Sequence, residues 1–276
     1  MISSVHNPIS GSLEFFRFPG LSALPGISHF ITSRSGGKSE GNYSSLNLGL
    51  NTADDPRNVI RNREILAEAL SVPPGRFVYA NQVHDCRIQY ISGMCAGSGT
   101  KAAETAIQDT DAMVTNIPGI CLMVLTADCV PVLLYDPVRK VVAATHAGWR
   151  GTVKQIARNT VRFMMDEFGC QPKDILAGIG PSIGPCCYEV GEEVEQSVIQ
   201  AFGTAFGYLV EKDKVGKPCF DLWYANQQQL IAIGLLTEHI ETAGICTHHN
   251  PGKYFSSRAS GGRTGRFGAG ILLLKS

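Results

Sequence analysis

The chain has no surplus of charge of either sign, since Lys plus Arg and Asp plus Glu each number 24 in 276 residues. A protein that coats nucleic acid or an anionic membrane needs a basic excess, so neither role fits. Its nine cysteines include no Cys-x-x-Cys pair, and their odd count argues against a disulfide framework or a zinc ribbon. No apolar run approaches the ~20 residues of a membrane helix. The start, Met1 to His6, lacks the basic-then-apolar order of a secretory signal. There is no Gly-x-x-x-x-Gly-Lys loop, and Gly178-Ile179-Gly180-Pro181 is not a dinucleotide fingerprint, because a proline follows the second glycine. Charged residues are sparse at 17% while apolar ones reach 44%, which indicates a folded protein with a large core. A reducing cytoplasm fits, with thiols that are buried or bound to metal.

What is present reads as an α/β fold, a layered α/β/α sheet in one domain. Residues 1–30, with Pro8, Pro19 and Pro25, read as an irregular lead-in or edge strands, and 31–276 as one catalytic domain. Pro56 opens a helix in which Val59, Ile60, Ile65, Leu66 and Leu70 recur at helical spacing. Residues 76–91 read as mostly extended. Strands are expected over 111–115, 120–125, 130–135, 141–145, 175–179 and 268–274. Helices are expected over about 153–167, 190–205 and 221–234. Apolar strands interleaved with helices imply a covered sheet.

The informative positions are where apolar strands run out into polar residues, the usual place for a ligand crevice in an open sheet. Asn81-Gln82-Val83-His84 closes one extended segment, Thr126-Ala127-Asp128-Cys129 separates two apolar runs, and Thr145-His146-Ala147-Gly148 leads into a helix. His84, Cys129 and His146 would make a zinc site with an open fourth position, as a catalytic zinc requires. Each is ambiguous alone: a strand-end histidine is commonly a hydrogen-bonded structural residue, and Cys129 between apolar strands is by default a small buried hydrophobe. Arg34, Arg150, Arg258 and Arg266 are candidate phosphate or substrate ligands, because a guanidinium grips phosphate oxygens in a fork; each could equally be a surface or helix-end residue. Asp128 could orient a ligand imidazole, act as an acid or cap a turn, and Asp111 shares that ambiguity. Cys186-Cys187 reads as a packed pair, and His248-His249 as an exposed loop pair able to pick up stray metal.

Five segments in order, Arg34-Ser35-Gly36-Gly37, Ser44 to Gly49, Gln82-Val83-His84, Thr126 to Val132 and His146 to Gly151, resemble the bacterial YfiH-type family. That family is also named purine nucleoside phosphorylase and, in older usage, polyphenol oxidase or laccase-domain protein. Gly180 to Gly191, Asp221-Leu222, Cys246-Thr247, Phe255 to Arg258 and Thr264-Gly265-Arg266 continue the likeness, which covers about 30–275. The chain departs from the family at Ala259 and Ser260, where a second Arg and an Asp are usual. The resemblance implies one metal, usually zinc, held by His84, Cys129 and His146. It implies phosphate-dependent cleavage of adenosine, inosine, guanosine and methylthioadenosine to base and ribose 1-phosphate, and deamination of adenosine. The partners so implied are nucleoside and phosphate, with no nucleic acid, membrane or protein partner.

Three alternatives stand beside this. A multicopper oxidase draws its many imidazoles largely from His-x-His segments, and this chain has seven histidines and none of those; copper could still occupy the one site. A cysteine-dependent hydrolase acting on cell-wall precursors would use Cys129 as nucleophile and His146 or His84 as base. A scaffold with a merely structural metal fits poorly with an open coordination position beside arginines.

Overall fold

The computed structural model describes residues 2–7, 11–210 and 217–275. Its strands are β1 (Ile2–Asn7), β2 (Gly11–Phe16), β3 (Ile27–Thr32), β4 (Phe77–Tyr79), β5 (Ile88–Tyr90), β6 (Ala112–Thr115) and β7 (Cys121–Thr126). They continue with β8 (Val130–Asp136), β9 (Val141–Ala147), β10 (Leu176–Ile179), β11 (Leu209–Val210), β12 (Cys219–Phe220), β13 (Ile240–Thr242) and β14 (Phe267–Leu273). The α-helices are α1 (Pro19–Ser22), α2 (Pro56–Leu70), α3 (Trp149–Val153), α4 (Ile156–Phe168), α5 (Glu192–Phe202) and α6 (Leu222–Ala232).

The α/β class holds, but the β layer is double. One six-stranded sheet runs β1-β2-β3-β14-β7-β4 and the other β13-β10-β8-β9-β6-β5. Alternation along the apolar strands shows how the layers stack. In β7, Leu122 and Val124 enter the core between the sheets, while Cys121 and Met123 face α2. In β8, Leu133 and Tyr135 enter that same core, while Val132 and Leu134 face α4, α5 and α6. Each run is buried on both faces, so it lacks the polar alternation of a half-exposed strand. That pattern is the same for one sheet between helices and for two stacked sheets, so the runs alone do not reveal the second sheet.

Three further expectations are corrected. Of the two readings of the first thirty residues, the irregular lead-in gives way to edge strands: β1, at the sheet edge, pairs antiparallel with β2, β2 pairs with β3, and β3 itself crosses position 30. Leu13 and Phe15, alternating with polar Ser12 and Glu14, are fully buried against the α2 side of the sheet. Residues 8–10, Pro8 among them, lie outside the described residues. The helix expected from 153 is two helices; Gln155 adopts φ +61° between them, and α3 already begins at Trp149. The extended stretch 76–91 is divided between the sheets, with β4 beside β7 and β5 beside β6.

This division places the site. β4 and β7 are parallel, so their C-terminal ends share one rim. The chain passes from β7 directly into β8 of the other sheet, and the start of β8 pairs with the end of β9, Pro131 opposite His146. The start of β6 pairs there too, Ala112 opposite Thr145. His84, Asp111, Cys129 and His146 therefore meet at one junction between sheets.

Candidate metal centre

The ligating atoms of His84, Cys129 and His146 all lie within 4.8 Å of one another. Asp111 organises them. Its carboxylate, 1% exposed, accepts backbone N–H bonds from Val83 at 3.2 Å, His84 at 3.0 Å and Asp85 at 2.9 Å. His84 has φ +61°, a left-handed backbone uncommon outside glycine and asparagine, and these bonds hold the turn. The same carboxylate accepts from His146 Nδ1 at 2.8 Å, which leaves His146 Nε2 for a ligand. The Gln82 amide fixes the approach by exchanging two 2.8 Å bonds with the Leu125 backbone. Gly148 leaves room, for a Cβ there would stand 3.1 Å from both Cys129 Sγ and His84 Cδ2.

Electrostatics follow from this packing. Burial raises the Cys129 thiol pKa, but the His146 imidazolium beside it, helped by His84, brings it down to about 6. Burial likewise acts to lower the His146 pKa, and the Cys129 thiolate and Asp111 carboxylate raise it to about 9. For Asp111 burial acts upward, and the His146 bond and backbone donors outweigh it, so its net shift is downward. One thiolate and two imidazoles suit a borderline-soft divalent ion, and three protein ligands are the number a catalytic zinc keeps. In metal-free protein, alkylation of Cys129 should be half-maximal near pH 6 and blocked by zinc; peptide mass spectrometry at Cys129 checks this, and a midpoint near 8.5 would contradict the ion pairing.

The trio lies in a cleft of about 620 Å³ whose walls include Arg150, Arg258 and Arg266. Arg150 stacks on Trp149 at 4.3 Å and stands 3.9 Å from Glu193, so its guanidinium is lightly held. Arg258 reaches the Glu189 carbonyl at 3.1 Å, and Arg266 donates to the Thr264 and Gly265 carbonyls at 2.9 Å each. Arg34 is not among the cleft residues. It donates to the Ser44 and Pro251 carbonyls at 2.8 Å and stacks on Phe255, so it ties loops together.

Asp128 lines the cleft with φ +96°, but both its carboxylate oxygens are engaged by Thr247 Oγ1 at 2.6 Å and the Arg258 N–H at 2.7 Å. Orientation of the imidazole belongs instead to Asp111, the other of the two aspartates that the sequence leaves ambiguous for that role. A second group, Cys186, Cys187, Cys246 and His249, also comes within 4.8 Å. The signal that could have found it is the Cys246-x-x-His249 spacing.

Known proteins agree with this architecture. A purine nucleoside phosphorylase of Bacteroides thetaiotaomicron is 39% identical over 258 residues, 94% of this chain and 96% of its own length. An adenosine deaminase from an unknown prokaryotic organism is 34% identical, covering 94% and 98%. The crystal structure of YlmD from Geobacillus stearothermophilus superposes with a TM-score of 0.90 at 33% identity, covering 99% of this chain and 100% of that one. That of the Bacillus licheniformis hypothetical protein YfiH gives 0.88 at 33%, covering 95% and 96%. The pattern described as multi-copper polyphenol oxidoreductase laccase matches residues 28–274, and this chain accordingly belongs to that laccase-like, YfiH-type enzyme family.

Proposed function

We propose that this chain is a zinc-dependent purine nucleoside phosphorylase that also deaminates adenosine at the same site. The observation that carries the reading is one cleft holding both the His84, Cys129 and His146 donor set and the guanidinium groups of Arg150, Arg258 and Arg266. The relatives' names supply the substrate class. Zinc held by the trio would supply Lewis-acid chemistry at neutral pH.

The residues divide the remaining work. Phosphorolysis joins a phosphate oxygen to C1′ as the bond from C1′ to the purine breaks, so the phosphate must sit below a cation-like sugar. Arg150, Arg258 and Arg266 supply the fork-shaped donors that hold its oxygens. Arg150 has the most freedom, held by stacking on Trp149 and by the Glu193 carboxylate 3.9 Å away. Arg266 is half-buried, and desolvation strengthens its attraction for an anion. Asp128, with both oxygens engaged, positions the backbone at Arg258. Nine unpaired thiols fit a cytoplasmic enzyme.

Inosine tests phosphorolysis alone, because it is already the product of adenosine deamination. Hypoxanthine should form from inosine only when phosphate is added, and chromatography checks it. No hypoxanthine from folded, zinc-loaded protein would overturn the phosphorylase reading.

A second reading has one observation in its favour. Cys129, His146 and Asp111 stand in the order nucleophile, base and orienting carboxylate, as a cysteine hydrolase requires. The second imidazole on the same sulfur is superfluous for that chemistry and useful for a metal. Full activity in chelator-treated protein would select the hydrolase.

A further inference from the structure

We propose a second zinc site, structural and separate from the cleft trio, formed by Cys186, Cys187, Cys246 and His249. The four side chains come from two loops. Cys186 and Cys187 lie in the turn after β10, where the Cys187 and Tyr188 N–H groups bond back to the Gly184 carbonyl. Cys246 and His249 lie in the loop after β13, and Ser182 and Cys246 form a parallel bridge between the two loops.

The donor geometry favours a metal over packing. Zinc–sulfur bonds of about 2.3 Å in a tetrahedron set neighbouring donors about 3.6–3.8 Å apart. Cys186 Sγ is 3.6 Å from His249 Nδ1, Cys187 Sγ is 3.1 Å from His249 Nε2, and all four donors lie within 4.8 Å. The ring stands between the two thiols with one nitrogen toward each, and one of these nitrogens ligates. The Gly184 N–H donates to Cys246 Sγ at 3.3 Å, a contact that suits a thiolate better than a thiol. Three sulfurs and one imidazole close a tetrahedron with no position left for substrate, the pattern of a structural zinc. Binding displaces the thiol protons to solvent.

The site would serve the cleft indirectly. Thr247, between Cys246 and His249, bonds Asp128, and Cys187 offers its carbonyl to Arg258 at 3.4 Å. Fixing these loops fixes the wall that carries Arg258 and Tyr188.

Elemental analysis of zinc-saturated, desalted protein tests the proposal. The wild type should hold two zinc ions per chain, Cys129→Ala one, and Cys129→Ala combined with His249→Ala none. X-ray absorption on Cys129→Ala should show three sulfurs and one nitrogen around the ion. His249 is exposed, so its substitution should leave the fold intact, as circular dichroism can verify. In wild-type protein, alkylation of exposed Cys186 should be slow until a strong chelator is added. Folded Cys129→Ala without zinc would overturn the proposal, as would Cys186 reacting at one rate with and without chelator.

Discussion

Cys129→Ala is expected to lower phosphorolysis and adenosine deamination together by about a thousandfold or more, the scale on which loss of a central electrostatic element acts. The sulfur is the one anionic donor of the trio, and without it two imidazoles hold the ion weakly. The neighbouring histidines outweigh burial and tune that sulfur toward thiolate, so alanine removes the metal affinity rather than a packing contact. The fold should survive, because the change deletes one small group at a cleft wall. Steady-state rates with metal content measured on the same samples check this. Loss of one activity with the other intact would contradict a shared site.

Asp111→Ala should be the most destabilising single change at the site, by about 3 kcal/mol or more, the range for removing one partner of a buried charged pair. Four donors lose their acceptor at once: the Val83, His84 and Asp85 N–H groups and His146 Nδ1. The His84 turn would relax from its left-handed backbone and His146 would lose its orientation, weakening zinc binding about 10- to 100-fold. The pH dependence has a definite sign. A carboxyl whose folded pKa is depressed contributes stability above its unfolded value near 3.9, and the contribution fades as pH falls through the folded value. Wild type and Asp111→Ala should therefore differ most in melting temperature near neutrality and converge as pH falls below the unfolded carboxyl value. A constant gap across that range would mean the loss is steric.

Much of the site is legible in the sequence because ligands fall where apolar strands stop, and strand ends mark themselves by composition. His84 and Cys129 follow β4 and β7 in this way, and His146 stands at the end of β9. The second sheet is not legible, since Val132 and Leu133 look alike in sequence while facing different layers. Asp111 stays ambiguous in the sequence because its partners lie 26 to 35 residues away and meet it only through the β6–β9 pairing. Arg34 misleads for the opposite reason. A guanidinium satisfied by two distant carbonyls and a phenyl ring has the same one-letter code as one that waits for phosphate. Cys186-Cys187 and His249 look like unrelated loop residues until the bridge between Ser182 and Cys246 joins their loops.

The most direct test of metal-site purine chemistry is chromatography of adenosine incubated with metal-analysed wild-type protein, with and without phosphate. Adenine should appear only with phosphate, matched by ribose 1-phosphate, and inosine should appear in both incubations. Zinc-loaded, folded protein that yields neither adenine nor inosine would contradict the assignment.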